Sequence, residues 1–196
     1  MAEPAPELAL AAICRELVRL GQRFALVGGL AVSVRAEVRF TRDVDIVVAV
    51  AHDSEAESLT YELRLAGYSP VASVEHETLH RLSTIRLMSP SGVKVDLLFA
   101  SSGIEAEIVD RATSIDFGGA GSVPVANAEE LLAMKVLSMT DTRLQDRIDA
   151  QHLVQLTPKL DMSRVRDHLA RITDRGYARG QDLEAKLAIV LHDVGA

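Results

Sequence analysis

Residues 7–20 place Leu8, Ile13, Leu17 and Leu20 at mixed three- and four-residue spacing, which predicts an amphipathic helix stopped by Gly21. The next apolar run, FALVGG at 24–29, is short and ends in paired glycines, the pattern of a strand that turns sharply. LAVSVRAEVR at 30–39 predicts a helix despite its valines, because Leu30, Val34 and Val38 recur four apart. VDIVVAV at 44–50 is apolar apart from one aspartate, as in a strand buried on both faces. A helix follows over 53–66, with Asp53 or Ser54 as its cap and Gly67 closing it.

RLSTIRLMS at 81–89 alternates as a half-buried strand does; PSG at 90–92 makes a tight turn, and VKVDLLFA at 93–100 returns as its partner. Beyond the glycine-rich FGGAGS at 117–122 the period becomes helical: Ala128–Met139, Leu144–Leu156, and further helices from Met162 and from Gln181. The order predicts an α/β (α+β) unit over 1–125, a mixed sheet flanked by helices, followed by a helical bundle over 126–196.

Composition narrows the class. At 196 residues, with 48% hydrophobic and 25% charged residues, the chain has the balance of a globular protein. Acidic Glu3 and Glu7 precede the first apolar stretch, no uncharged run approaches a membrane span, and Cys14 is the lone cysteine, so a cytoplasmic, disulfide-free protein is expected. Cys14 lies in a helical pattern, where a small buried apolar residue is expected rather than a nucleophile.

The net charge of −7 is uneven: residues 1–150 hold 14 Lys/Arg against 22 Asp/Glu, and residues 151–196 hold 7 against 6. Such a balance excludes generic nucleic-acid coating, which needs clustered cations. Local patches remain at Arg35, Arg39 and Arg42, and at Arg164, Arg166, Arg171, Arg175 and Arg179. The second group fits equally a solvated helix face and an RNA-contacting one. His76 and His80, flanking Glu77, have a helical zinc spacing but no third ligand, and are expected as exposed histidines.

The chemistry concentrates in the first half. In a strand, Asp43 and Asp45 point to the same face, and two adjacent carboxylates repel unless a cation lies between them; Mg²⁺, a hard ion shared with substrate phosphates, suits that place. Taken alone, the pair also fits a solvated strand entrance. Asp96, an acid inside the apolar run VKVDLLF, needs a partner if buried, and the same metal site offers one. Gly28–Gly29 ends a strand and opens a helix, where outward-pointing amides favour phosphate.

VGG, thirteen residues, DVD and a later KVDLL together resemble the nucleotidyltransferase superfamily of the DNA polymerase β type. NAEELLAMKVLSMTDTRLQDRIDAQHL at 127–153 is similar to the Lys…Arg-x-x-Asp-x-x-Asp signature of AbiEii-like toxins, the minimal nucleotidyltransferase toxins of toxin–antitoxin systems, whose mycobacterial members modify transfer RNA. The resemblance covers residues 22–155. It implies that Asp43 and Asp45 hold two catalytic Mg²⁺ ions and that Asp96 is a third ligand or the base for the attacking hydroxyl. By the same resemblance, Gly28 and Gly29 line the triphosphate, Lys135 contacts nucleotide phosphates, and Arg143, Asp146 and Asp149 complete the helical motif. Glycine at position 29 stands where many relatives have serine, so a phosphate-binding hydroxyl is absent there. An ion pair between helices would give the same Lys135 and Asp146 pattern.

Thr41 reads as a polar turn residue; in the resembled toxins a hydroxyl at this place is where an antitoxin phosphorylates the toxin. The implied activity is transfer of NMP from an NTP to the 3′ acceptor end of tRNA, checked by a cognate antitoxin, with no membrane partner. The alternatives are an aminoglycoside- or lincosamide-type antibiotic, or a protein hydroxyl, as acceptor. A non-catalytic module on the same fold conflicts with three retained acids.

Overall fold

The computed structural model describes residues 6–76 and 79–196; Glu3 and Glu77 lie outside the described residues. Helix α1 (Pro6–Arg19) leads into strand β1 (Phe24–Val27), helix α2 (Gly28–Arg35) and strand β2 (Val44–Val48). Then come α3 (Asp53–Leu65), β3 (Ser69–Glu75), β4 (Leu82–Met88), β5 (Lys94–Leu98), α4 (Glu105–Arg111), β6 (Thr113–Asp116) and β7 (Ser122–Val125). Four helices close the chain: α5 (Ala128–Ser138), α6 (Leu144–Leu156), α7 (Met162–Asp174) and α8 (Leu183–Val194).

The seven strands form one mixed sheet in the order β3-β4-β5-β2-β1-β7-β6. β2 is its middle strand, antiparallel to β1 and parallel to β5. All four residues of β1 are buried, as are Val44, Ile46, Val47 and Val48 of β2, so the apolar runs read from sequence are the centre of the sheet. One hydrophobic cluster takes in α1, the sheet and α5–α8. Every element after Val125 is helical, and α5 packs against α6, α7 and α2.

Four elements were not legible. β3 is exposed along its whole length and carries Pro70, β6 is a short exposed edge, β7 contains Pro124, and α4 is only seven residues long. β3 and β6 lack the period-two burial that marks a strand, β7 has it over only four residues that include a proline, and α4 is too short to show a 3.6 period.

Two expectations need correction. α2 stops at Arg35 rather than Arg39, because Arg35 turns back to the carbonyls of Val125 and Ala126 and to Thr113 and Asn127. Residues 37–43 then run outside any helix. The N-cap of α3 is His52, without a side-chain cap; the Asp53 carboxylate is instead taken by Arg81 Nε at 2.6 Å and the Leu82 amide at 3.1 Å, tying the helix to β4.

His76 is buried rather than exposed, its ring edge-on to Tyr177 with centroids 4.9 Å apart, and neither His76 nor His80 lies in a helix. Cys14 is buried as expected, and burial pushes its thiol up to about 12, well above reactivity. The C-terminal arginines are spent on intramolecular pairs: Arg164 with Glu129, Arg166 with Glu184, Arg171 and Arg175 with Glu107, and Arg179 on the Ser101 carbonyl. Among the described residues no helix is long and apolar enough to cross a membrane.

Candidate functional site

The parallel pairing of β2 with β5 puts Asp45 directly opposite Asp96, and the antiparallel pairing with β1 puts Asp45 opposite Val27, the last residue before the glycine turn. Two carboxylates therefore stand side by side on one face of the sheet, and Asp43 lies one residue before β2, near enough to act on Asp45. Burial first, then Asp96, and more weakly Asp43, push the Asp45 carboxyl up to about 6; Lys135 and a hydrogen bond from the Gly29 amide act against that rise. Like charges have been gathered here at a cost, which is the electrostatic mark of a cation site or a catalytic carboxylate.

Gly28 is required by contact, whereas at Gly29 the near atoms are ends of side chains that can shift. Gly28 has φ +64, and a Cβ there would stand 1.9 Å from Asp45 Oδ2. A Cβ on Gly29 would lie 2.6 Å from the Arg39 guanidinium and 2.9 Å from Thr41 Oγ1. The backbone at the start of α2 is thus pressed against the carboxylate, and a side chain at position 28 would part them.

Asp96 has a partner the sequence reading missed. Arg86, opposite it across the β4–β5 hairpin, grips both carboxylate oxygens at 2.8 and 2.6 Å. A signal existed: a turn at 90–92 fixes the hairpin register and so sets position 86 against 96.

The helical residues form a second charged group. Lys135 on α5 is buried, with Nζ 2.7 Å from Asp146 and 2.7 Å from Asp149, both on α6. Asp149 also receives Gln145 Nε2 at 2.9 Å and Arg39 at 3.0 Å, while Arg143 pairs with Asp146 at 2.9 Å. Burial opposes the charge on Asp149, yet Lys135, Gln145 and Arg39 together hold its carboxyl below the usual range.

Both groups border one cleft of about 320 Å³. Gly28, Asp45, Asp96 and Arg86 border it together with Lys135, Arg143 and Asp146, and the apolar Leu131, Met134 and Leu137 are among its other lining residues; Asp43 and Gly29 are not. Arg35 and Arg39, read from sequence as members of a local patch that includes Arg42, are instead structural, the first on the β7–α5 junction and the second on Asp149.

Among the described residues no three His, Cys, Asp or Glu side chains make a ready cation cage. The donor set nevertheless fits Mg²⁺: oxygen ligands only, a repelling carboxylate pair, and room for the phosphates and waters that usually complete such a shell.

A family model described as nucleotidyl transferase AbiEii toxin, type IV TA system, matches residues 10–190. No curated protein matches the chain by sequence. Among solved structures, an antigenic nucleotidyltransferase-like protein from Paracoccidioides brasiliensis is 19% identical, over 95% of this chain and 96% of that one, with a TM-score of 0.51. The lincosamide adenylyltransferase LnuA, solved with lincomycin, is 16% identical over 79% of this chain and 100% of its own, with a TM-score of 0.50. The enzyme ANT(2″)-Ia in complex with adenylyl-2″-tobramycin is 11% identical over 86% and 97%, with a TM-score of 0.53. At these identities the likeness is one of fold.

Proposed function

This chain belongs to the AbiEii family of nucleotidyltransferase toxins and is a nucleotidyltransferase, and from that premise we propose that it moves NMP from an NTP to the 3′ hydroxyl of a tRNA. The observation that carries the site assignment is the register of Asp45 on Asp96 beside the Gly28 turn. Asp43, Asp45 and Asp96 are the residues that would hold Mg²⁺, which supplies polarisation of the α-phosphate and charge neutralisation when bound. Gly28 and Gly29 let the triphosphate approach the first amides of α2. Lys135 and Arg143, bordering the same cleft, neutralise phosphate charge, and Asp146 fixes both cations where they are needed. Asp96 is positioned to accept the proton of the attacking hydroxyl, with Arg86 orienting its carboxylate.

The acceptor follows from charge. Among the described residues, Arg86, Lys135, Arg143 and Arg179 border the cleft with Asp45, Asp96 and Asp146, the first three cations paired to those acids. Such a lining suits a phosphate-bearing acceptor better than a polycationic antibiotic. The overall charge of −7 favours the antibiotic as the second reading. The intact protein, given labelled NTPs, Mg²⁺ and either total RNA or a panel of aminoglycosides and lincosamides, is expected to label small RNA. Labelling of the drugs alone would reverse the order of the two readings.

A cognate antitoxin that phosphorylates Thr41 fits the same geometry. The Thr41 hydroxyl lies against the first turn of α2, so a phosphate there would bring about −1.5 to −2 charge to the ground proposed for the triphosphate. Thr41→Glu is expected to weaken NTP binding at least about tenfold by calorimetry, through like-charge repulsion. Unchanged affinity would remove Thr41 as a control point.

A further inference from the structure

Residues 38–43, which deliver the chain from α2 to Asp43, alternate between the two sides of an extended segment. Val38, Phe40 and Arg42 are exposed; Arg39, Thr41 and Asp43 are half-buried. The inner side is polar and anchored: Arg39 reaches Asp149 at 3.0 Å, its backbone meets the Ser33 hydroxyl at 3.3 Å, and Thr41 lies against Gly29. One residue earlier, Glu37 pairs with His152 on α6 at 3.0 Å. The outer side is the reverse of what water selects. Val38 is 86% exposed and Phe40 74% exposed, the highest values among the exposed large hydrophobics of the described residues.

A slack loop would expose such side chains by accident. This one is held at Glu37, Arg39 and Thr41, so its exposed apolar face is a built feature. The Arg42 guanidinium stands over the Phe40 ring, 5.3 Å from the ring centre, a preassembled aromatic–cation pair. On α6, Leu144 and Ile148 are also exposed, two turns and one turn before His152, with Arg143 next to Leu144.

From this we infer that Phe40 and Arg42, with Val38 beside them, form the platform on which the unpaired 3′ end of a nucleic-acid acceptor is stacked. The inference rests on the transfer reading above and names the surface that would bring its acceptor in. Single-stranded ends are held by aromatic and guanidinium planes under the bases, with cations for the phosphates. Arg42 adds a guanidinium plane to the same outer face as the Phe40 ring, the pairing of surfaces that stacked bases use. Continuity makes the third argument: the segment that carries Phe40 and Arg42 on its outer side is the one that runs into Asp43 and β2. The acidic whole and the small basic–aromatic rim fit together, because only one or two nucleotides need be gripped.

The test uses a short single-stranded oligoribonucleotide with 2-aminopurine as its 3′-terminal base, titrated with the intact protein without NTP or metal. Saturable quenching is expected, weakened about tenfold or more by Phe40→Ala and kept by Phe40→Trp. NTP binding by calorimetry should be the same in both variants, and Arg42→Gln should lower the salt slope of oligonucleotide binding by about one ion. If Phe40→Ala binds and labels RNA as wild type does, the platform is wrong and the transfer reading stands. If wild type binds NTP but neither binds nor labels RNA, both fall. A concentration-dependent dimer that Phe40→Ala dissolves would assign the surface to a second copy, and a complex with antitoxin that the same variant abolishes, without effect on RNA, would assign it to that protein; either overturns the inference.

Discussion

Asp45→Asn is expected to lower nucleotide transfer by about 10³-fold or more while making the metal-free protein more stable. The first effect follows from the several kcal/mol that a correctly held cation contributes to a phosphoryl transition state. The second follows from the environment of this carboxylate. Burial, then Asp96, hold its pKa up at about 6, against about 4 in an unfolded chain. A carboxyl that is harder to ionise when folded contributes stability that is intact below about pH 4 and is lost as pH rises through about 6. Asparagine does not ionise, so the variant should gain on wild type between pH 4 and 6 and keep that margin above. Thermal melts across pH, with and without Mg²⁺, read this directly: Mg²⁺ should raise the wild-type midpoint and leave that of the variant nearly unmoved. A lower midpoint for the variant at neutral pH, or transfer within tenfold of wild type, would sink the assignment.

The combination of lost activity and gained stability separates a site residue from a structural one, and it explains which parts of the site were legible in the sequence. Asp43 and Asp45 stand out as two acids at the mouth of an apolar run, a pattern that alone also fits a solvated entrance and that Gly28–Gly29 and Asp96 turn toward a cation site. Asp96 stands out as an acid inside a strand, which needs a partner when buried. Gly28 is legible as a turn; its second constraint, the close approach to Asp45, needs the β1–β2 pairing. Arg86 was hidden only because the hairpin register had not been carried through to position 96. The backbone course of residues 37–42 was not legible. Its anchors, Asp149 and His152, lie on α6, more than a hundred residues later, and they override a helical period that continues through Val38. The edge strands β3 and β6 were invisible because their exposure erases the alternation by which strands are read.

Lys135→Met is the second large effect, and here stability and activity fall together. The Lys135 side chain is 10% exposed and is shared by Asp146 and by Asp149, whose side chain is fully buried. Methionine keeps the volume and removes the charge, leaving Asp149 with Arg39 and Gln145, and Asp146 with the exposed Arg143. Breaking a buried pair from one side costs about 3–5 kcal/mol, which in a chain of this size is a fall of roughly 6–20 °C in Tm. That loss alone would not distinguish a phosphate-binding lysine from a strut between α5 and α6. The double variant Lys135→Met with Asp149→Asn does so, because it removes the stranded carboxylate as well as its partner. Its Tm should recover most of the way toward wild type, since a neutral amide still hydrogen-bonds Gln145 and Arg39. If Lys135 meets the nucleotide phosphates, transfer and NTP affinity stay depressed in the refolded double variant. If both return with the fold, Lys135 is a strut, and the charge facing the triphosphate is left to Arg143.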